Sequence, residues 1–355
     1  MKEAFQTRLK KRKRTTRILL LVFTALFLVA VLVLYMLFQR IMNPIVKTPD
    51  KKDFSLYIPT GADFQLVKDS LYAHDLIIHP SHFEWLCQKK DYPNHIHPGR
   101  YVLRDGMSNR QLTNMLRGGL QTPVKVTFNN QRDIKGLAGR IGQQIEADSL
   151  AILTYLNDRG NLEALGFTQQ TIPALFLPNT YEFYWNTDAR SFVEKMKQEY
   201  NKFWNEERKN EAKAKGLTPV EVSILASIVD KETNKTDEMA RIAGVYLNRL
   251  RDGWLLQADP TLVFAVGDFE LKRVLNIHKE VESPYNTYKY AGLPPGPICI
   301  PSLASINAVL NAEKHNYYYF CAKEDFSGYH VFAKTLNEHN SNARRYQRAL
   351  GKIES

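Results

Sequence analysis

Hydrophobic positions change their period several times along the chain. Ile18 to Phe38 is an unbroken run of 21 uncharged residues. As a helix it would rise about 1.5 Å per residue and span roughly 30 Å, the depth of a bilayer's hydrocarbon core. Phe54 to Ile58 alternates as a strand does, and Asp63 to Ala73 then carries apolar residues at helical spacing. The same arrangement returns 70 residues later. Leu56, Ile58, Asp63, Phe64, Val67 and Leu71 align with Val126, Phe128, Asp133, Ile134, Leu137 and Ile141. In both copies a strand leads to an aspartate placed to cap a helix. The two strand–helix units flank His95 to Tyr101, and the Gly119 neighbourhood reads as a hinge after the first.

From Thr218 the pattern is mainly helical. Thr218-Pro219-Val220-Glu221 is a capping box with proline at the first helical position, and predicts a helix running to about Thr233. A second helix is predicted over Glu238 to Arg251, stopped by Gly253. After the proline-rich loop Gly292 to Pro301 come a helix (Ser302 to Asn311), two strands (Tyr317 to Ala322, Tyr329 to Ala333) and a closing helix. The expected class is α+β.

The net charge of +11 would suit a nucleic-acid binder if it lay on the folded part. It does not. Lys2, Arg8, Lys10, Lys11, Arg12, Lys13, Arg14 and Arg17 against Glu3 place +7 of it in residues 1–17, so nucleic acid is not an expected partner. That cluster precedes the apolar run, and no small-x-small cleavage site follows it at Gln39 to Pro44. A retained single-pass anchor is therefore expected over a cleaved signal, with the N-terminus cytoplasmic and the rest outside the inner membrane. Asn43 to Asp53 reads as a stalk. Cys87, Cys299 and Cys321 show no CxxC spacing and read as small buried residues, and no metal or cofactor motif is present.

One residue in the Thr218 helix is out of place. At 100° per residue Ser223, Ser227 and Asp230 share one face, which with Lys231 reads as solvated, while Leu225, Ile228 and Val229 mark an apolar one. Glu232 falls on the apolar face, in the last turn. Burial and the negative end of the helix dipole both disfavour its ionised form, which raises the pKa as a general acid requires. The alternative is that Glu232 reaches past the helix end into water, or pairs with Arg241 or Arg249.

Ala226 to Thr233 (ASIVDKET), Val245 to Leu250 (VYLNRL) and Leu256 to Thr261 (LQADPT) resemble blocks of the endolytic murein transglycosylase family (MltG, YceG-like). So do Ser283 to Tyr288 (SPYNTY), Gly292 to Gly296 (GLPPG), His330 to Phe332 (HVF) and Glu338 to Asn340 (EHN). The resemblance runs from about residue 54 to the C-terminus. It implies a cytoplasmic tail (1–17), a transmembrane helix (18–38), a linker (39–53), a LysM-like subdomain (54–122) and a mixed α+β catalytic domain (123–355). It also implies cleavage of peptidoglycan glycan strands, without cofactor, by a membrane-anchored periplasmic lyase working beside synthases or division proteins. The catalytic glutamate of the family corresponds to Glu232, and Gln257, Asp259, Asn286, Tyr288 and His330 become candidates for lining the substrate cleft. Each has an alternative as a structural hydrogen bonder, the loop residues around Pro260 and Pro284 and His330 within a strand. Two departures stand out. Pro173 and Ala174 occupy positions where members often carry an acid and a glycine before Pro178-Asn179-Thr180-Tyr181, and Asp230 replaces the first acid of a Glu-Lys-Glu triplet. A binding scaffold without catalysis is the alternative function.

Overall fold

The computed structural model describes residues 1–271 and 273–352. It is a mixed α+β structure that divides into two compact units, residues 1–123 with 184–186, and residues 124–183 with 187–355.

The first unit begins with α1 (Lys2–Met42), whose central stretch is long and apolar enough to cross a membrane and is not buried against protein. Then follow β1 (Phe54–Ile58), α2 (Phe64–Tyr72), α3 (Pro80–Lys89), β2 (Gly99–Leu103) and α4 (Asn109–Arg117). β1 and β2 pair antiparallel with Leu56 opposite Tyr101. Two strands alone are marginal in water. Here Leu56, Ile58, Tyr101 and Leu103 join Val67, Leu71, Phe83, Leu112 and Leu116 in one core with the helices. Asp63 caps α2 by accepting from the Leu66 amide at 2.8 Å. The stalk expected at Asn43 to Asp53 is corrected in its first half. Ile45 and Val46 are buried, and the Ile45 amide donates to the Met107 carbonyl (2.8 Å) while the Ile45 carbonyl accepts from Ile78 (2.9 Å). Two adjacent apolar residues there gain more from the core than from solvent.

The second unit opens with β3 (Val124–Phe128), α5 (Ile134–Gly142), α6 (Ser149–Asn157), α7 (Arg159–Leu165), β4 (Asn179–Phe183), α8 (Ala189–Phe203) and α9 (Glu206–Ala214). It continues with α10 (Pro219–Glu232), α11 (Met239–Arg251), α12 (Asp259–Val266), α13 (Asn276–Lys279) and α14 (Leu303–Leu310). The hairpin β5 (Tyr319–Ala322) and β6 (His330–Ala333) and the last helix α15 (Leu336–Gly351) complete it. β3 pairs antiparallel with β4, and Asp133 caps α5 just as Asp63 caps α2. β5 pairs with β6, Ala322 opposite His330.

α10 is the axis of this unit. Its capping box forms as expected, with Thr218 Oγ1 accepting from the Glu221 amide and the Glu221 carboxylate from the Thr218 amide. Around it lie α9, α11, α12, α14 and the turn Ile172–Leu175. The face carrying Ser223, Ser227 and Asp230, read from the sequence as solvated, is buried. The reason is the neighbouring backbone. Ser227 Oγ accepts from the Ile298 amide at 3.0 Å, and Asp230 accepts from Ser302 Oγ at 2.5 Å and Asn130 at 3.1 Å. Polar side chains here satisfy loop groups that burial would otherwise leave unpaired. All three cysteines are free, Cys87 and Cys299 buried and Cys321 partly so.

Candidate active site

Glu232 is the last helical residue of α10, where the chain has emerged from the packed interior. Three concavities, of about 550, 530 and 440 Å³, meet at its side chain. One is basic and aromatic, with Lys231, Lys235 and Tyr329. Another sets Val263, Phe264 and Leu271 beside the charged Lys231, Asp259 and Arg273. The third holds most of the polar groups discussed below.

The carboxyl is held by Tyr246 of α11, whose phenol donates to Glu232 Oε1 in a very short hydrogen bond. Ile242, Tyr246 and Arg249 recur at helical spacing, which brings the phenol and the guanidinium to one side of α11. Burial pushes the Glu232 carboxyl up to about 7; the Tyr246 hydrogen bond and the Arg249 charge oppose the rise, and the negative Asp259 adds to it. Neither arginine forms an ion pair with it. Arg241 is engaged by Glu313 at 2.8 Å. Arg249 donates to the carbonyls of Tyr318 (2.7 Å) and Leu256 (2.6 Å), tying the start of β5 to the loop before α12.

The cleft candidates separate into two groups. Gln257, Asp259, Tyr288 and His330 line the third concavity together with Glu232. Gln257 takes a left-handed backbone (φ 49°), a conformation costing an L-residue about 1–2 kcal/mol. Thr287 stabilises it, its carbonyl accepting from the Gln257 amide and its hydroxyl from the Ala258 amide, each at 3.0 Å. Asp259 opens α12, where the helix dipole favours an anion, and accepts from the Tyr288 phenol at 2.5 Å. His330 is at once a cavity wall and a structural group. Its amide and Nδ1 both engage the buried Glu238, at 2.7 and 2.9 Å. Asn286 is different. It is fully buried, its amide nitrogen donates to the Lys279 and Val281 carbonyls, and its oxygen accepts from the Tyr288 amide. The placement of Asn286 on a cleft wall is therefore corrected: its hydrogen-bonding groups are spent inside the loop that carries Tyr288.

Nothing in the sequence singles out Tyr246 or Glu238, and Arg249 enters there only as an alternative ion-pair partner of Glu232. Tyr246 lies in the block Val245 to Leu250, but nothing in that block says that it faces Glu232, 14 positions earlier. Glu238 reads as a helix cap, yet it makes no such bond and is turned instead toward β6.

Fold and site together place the chain in a known class. The model of the YceG-like family matches residues 56–345, and the chain belongs to that family. Among its relatives, the endolytic murein transglycosylase of Bacillus subtilis (strain 168) is 27% identical over 324 residues, covering 87% of this chain and 88% of the relative. That of Streptococcus pneumoniae serotype 2 is 26% identical over 345 residues. There the match covers 88% of this chain and 62% of the pneumococcal protein. The crystal structure of a YceG-like protein from Listeria monocytogenes superposes with a TM-score of 0.54 at 25% identity, over 82% of this chain and 99% of that one.

Proposed function

We propose that this protein is an endolytic lytic transglycosylase that cuts the MurNAc–GlcNAc bond of nascent peptidoglycan glycan strands, with Glu232 as its single acid and base. One observation carries the reading. A carboxyl pushed to about 7 sits where three concavities meet, hydrogen-bonded by a phenol and free of any ion pair among the described residues. The names of the B. subtilis and S. pneumoniae relatives point to the same substrate.

A glycosidase that adds water normally needs two carboxylates flanking the bond. A lytic transglycosylase uses the substrate's own C6 hydroxyl. Protonated Glu232 gives its proton to the glycosidic oxygen as the C1–O bond breaks, and the GlcNAc-ended fragment leaves as an alcohol. The resulting carboxylate takes the proton from the muramic C6 hydroxyl while O6 bonds to C1, closing the 1,6-anhydro ring and restoring the acid. Tyr246 keeps the carboxyl in one rotamer and, with Arg249, supports its ionised interval. Asp259 and Gln257, which share the concavity with Glu232, favour the oxocarbenium-like transition state.

The wider assignment rests on the same footing. α1 serves as a single-pass anchor in the cytoplasmic (inner) membrane, with the basic tail inside and the site in the periplasm. The β–α–α–β order of residues 54–103 supports a LysM-like glycan-holding role for the first unit. Peptidoglycan synthases or division proteins are natural neighbours for an enzyme acting on new strands.

The test uses purified full chain and uncrosslinked glycan strands. Wild type should release anhydro-ended fragments, lighter by one water per cut than hydrolysis products, and Glu232→Gln should release none. Reducing-end products would make the chain a hydrolase, and binding without cleavage a scaffold.

A further inference from the structure

The block Glu338 to Asn340 has no part in the mechanism above, yet its histidine lies in the same hollow as Glu232. His339 is carried by α15, the last helix of the chain, and lines the third concavity beside Arg249, Gln257 and Tyr288. Its ring stacks on Tyr319, centroids 5.3 Å apart and planes 26° from parallel. The Arg249 guanidinium rests against the same Tyr319 ring at 5.4 Å. Nδ1 of His339 is buried without a hydrogen-bond partner. Nε2 is not buried in this way and makes no hydrogen bond among the described residues, which leaves it as the polar atom of the ring open to a ligand.

An imidazolium here would need an acceptor at Nδ1, and none is present. It would also stand close to a guanidinium. Burial and the Arg249 charge accordingly lower the pKa of His339. The group presented is a neutral imidazole. The hollow as a whole suits an uncharged ligand: Glu232 and Asp259 set two acids against one guanidinium, leaving no surplus positive charge to hold an anion. Tyr288 and Phe320 add aromatic groups to its wall, of the kind against which pyranose rings lie.

We propose that His339 is a substrate-binding residue, its Nε2 hydrogen-bonding a hydroxyl or acetamido group of a neutral amino sugar seated in this hollow beside Glu232. This rests on the glycan-cleaving reading of the site and adds to it that the final helix forms part of the substrate cleft. The alternative is that His339 only packs against Tyr319, and the choice of variants separates the two.

Full-length wild type, His339→Phe and His339→Gln are assayed on glycan strands over a range of concentrations. Phenylalanine keeps the stacking and loses the hydrogen bond, while glutamine returns an amide near the place of Nε2. His339→Phe should raise KM by about five- to tenfold, the worth of one neutral hydrogen bond, with kcat nearly unchanged, and His339→Gln should recover part of the loss. Wild-type KM in His339→Phe would overturn the proposal. A second measurement does not depend on turnover. Glu232→Gln protein labelled with 15N-histidine is titrated with a GlcNAc–MurNAc tetrasaccharide, and the His339 Nε2 resonance should move. Saturable binding with that resonance unmoved would also overturn it. A moving resonance in a protein whose wild type never cleaves would leave the inference standing and remove the catalytic reading alone.

Discussion

Tyr246 and Glu232 come from consecutive helices, and the phenol of one donates its proton to the carboxyl of the other in a half-buried hollow. Removal of that bond should be visible in both rate and pH dependence. Tyr246→Phe keeps the edge-on contact with Phe320, 5.9 Å between centroids, and deletes the donor. A hydrogen bond to a charged group is worth about 1.5–3 kcal/mol, so kcat should fall by about 10- to 100-fold. Without the phenol the carboxyl rises further, and the alkaline limb of the kcat/KM profile should move upward from about 7. An unmoved limb would separate Tyr246 from the proton transfer.

Glu232 should also tax the fold. Its folded-state pKa of about 7 lies above the ordinary 4.5. The folded protein therefore holds this proton more tightly than the unfolded chain. Stability is fully present below about pH 4.5 and lost as pH rises through 7, by at most ~3 kcal/mol. Glu232→Gln removes the penalty. Urea denaturation should find the variant more stable than wild type at pH 8 and nearly equal to it at pH 4. Equal stability at both would mean the carboxyl is not perturbed in solution.

Glu238 joins the start of α11 to β6 through the His330 amide and ring. Glu238→Ala leaves both donors unpaired in a buried place and should destabilise the second unit by about 2–4 kcal/mol. Glu238→Gln, which keeps one acceptor, should cost less. Hydrogen exchange should show the loss first in β5 and β6. Uniform loss across the unit, with no excess in that hairpin, would count against the local clamp.

Gly244 and Gly296 are sites of close backbone approach. A Cβ on Gly244 would meet the Glu313 carbonyl at 2.5 Å, and one on Gly296 the Gln170 carbonyl at 2.1 Å. Either alanine should cost about 1–3 kcal/mol, the penalty of overpacking, measurable as a lowered urea midpoint. Alanine at Gly139, where no atom lies within 4 Å, is the control and should leave the midpoint unchanged or raise it.

Local chemistry made much of this architecture legible. The capping box at Thr218, the aspartates at 63 and 133 and the alternation at Phe54 and Tyr329 act over a few residues, and the elements begin within a residue or two of where those signals put them. The projection that set Glu232 apart used the same short-range information. It failed on the other side of the same helix, because a period of 3.6 shows where polar residues lie and not what surrounds them. Ser227 and Asp230 face a loop some 70 residues onward, whose amide and hydroxyl donors they satisfy. Asn286 was misplaced for a related reason, since an asparagine that organises a loop and one that reaches a substrate look alike in sequence. Ile45 and Val46 were hidden by their polar neighbours.

The encirclement of α10 has a mechanical side. A helix wedged among five neighbours cannot translate or turn without disturbing its surroundings, so the acid at its tip is mounted on a firm post. Whatever motion a catalytic cycle demands must then fall to the incoming chain and the walls that receive it, while the proton waits at a fixed address.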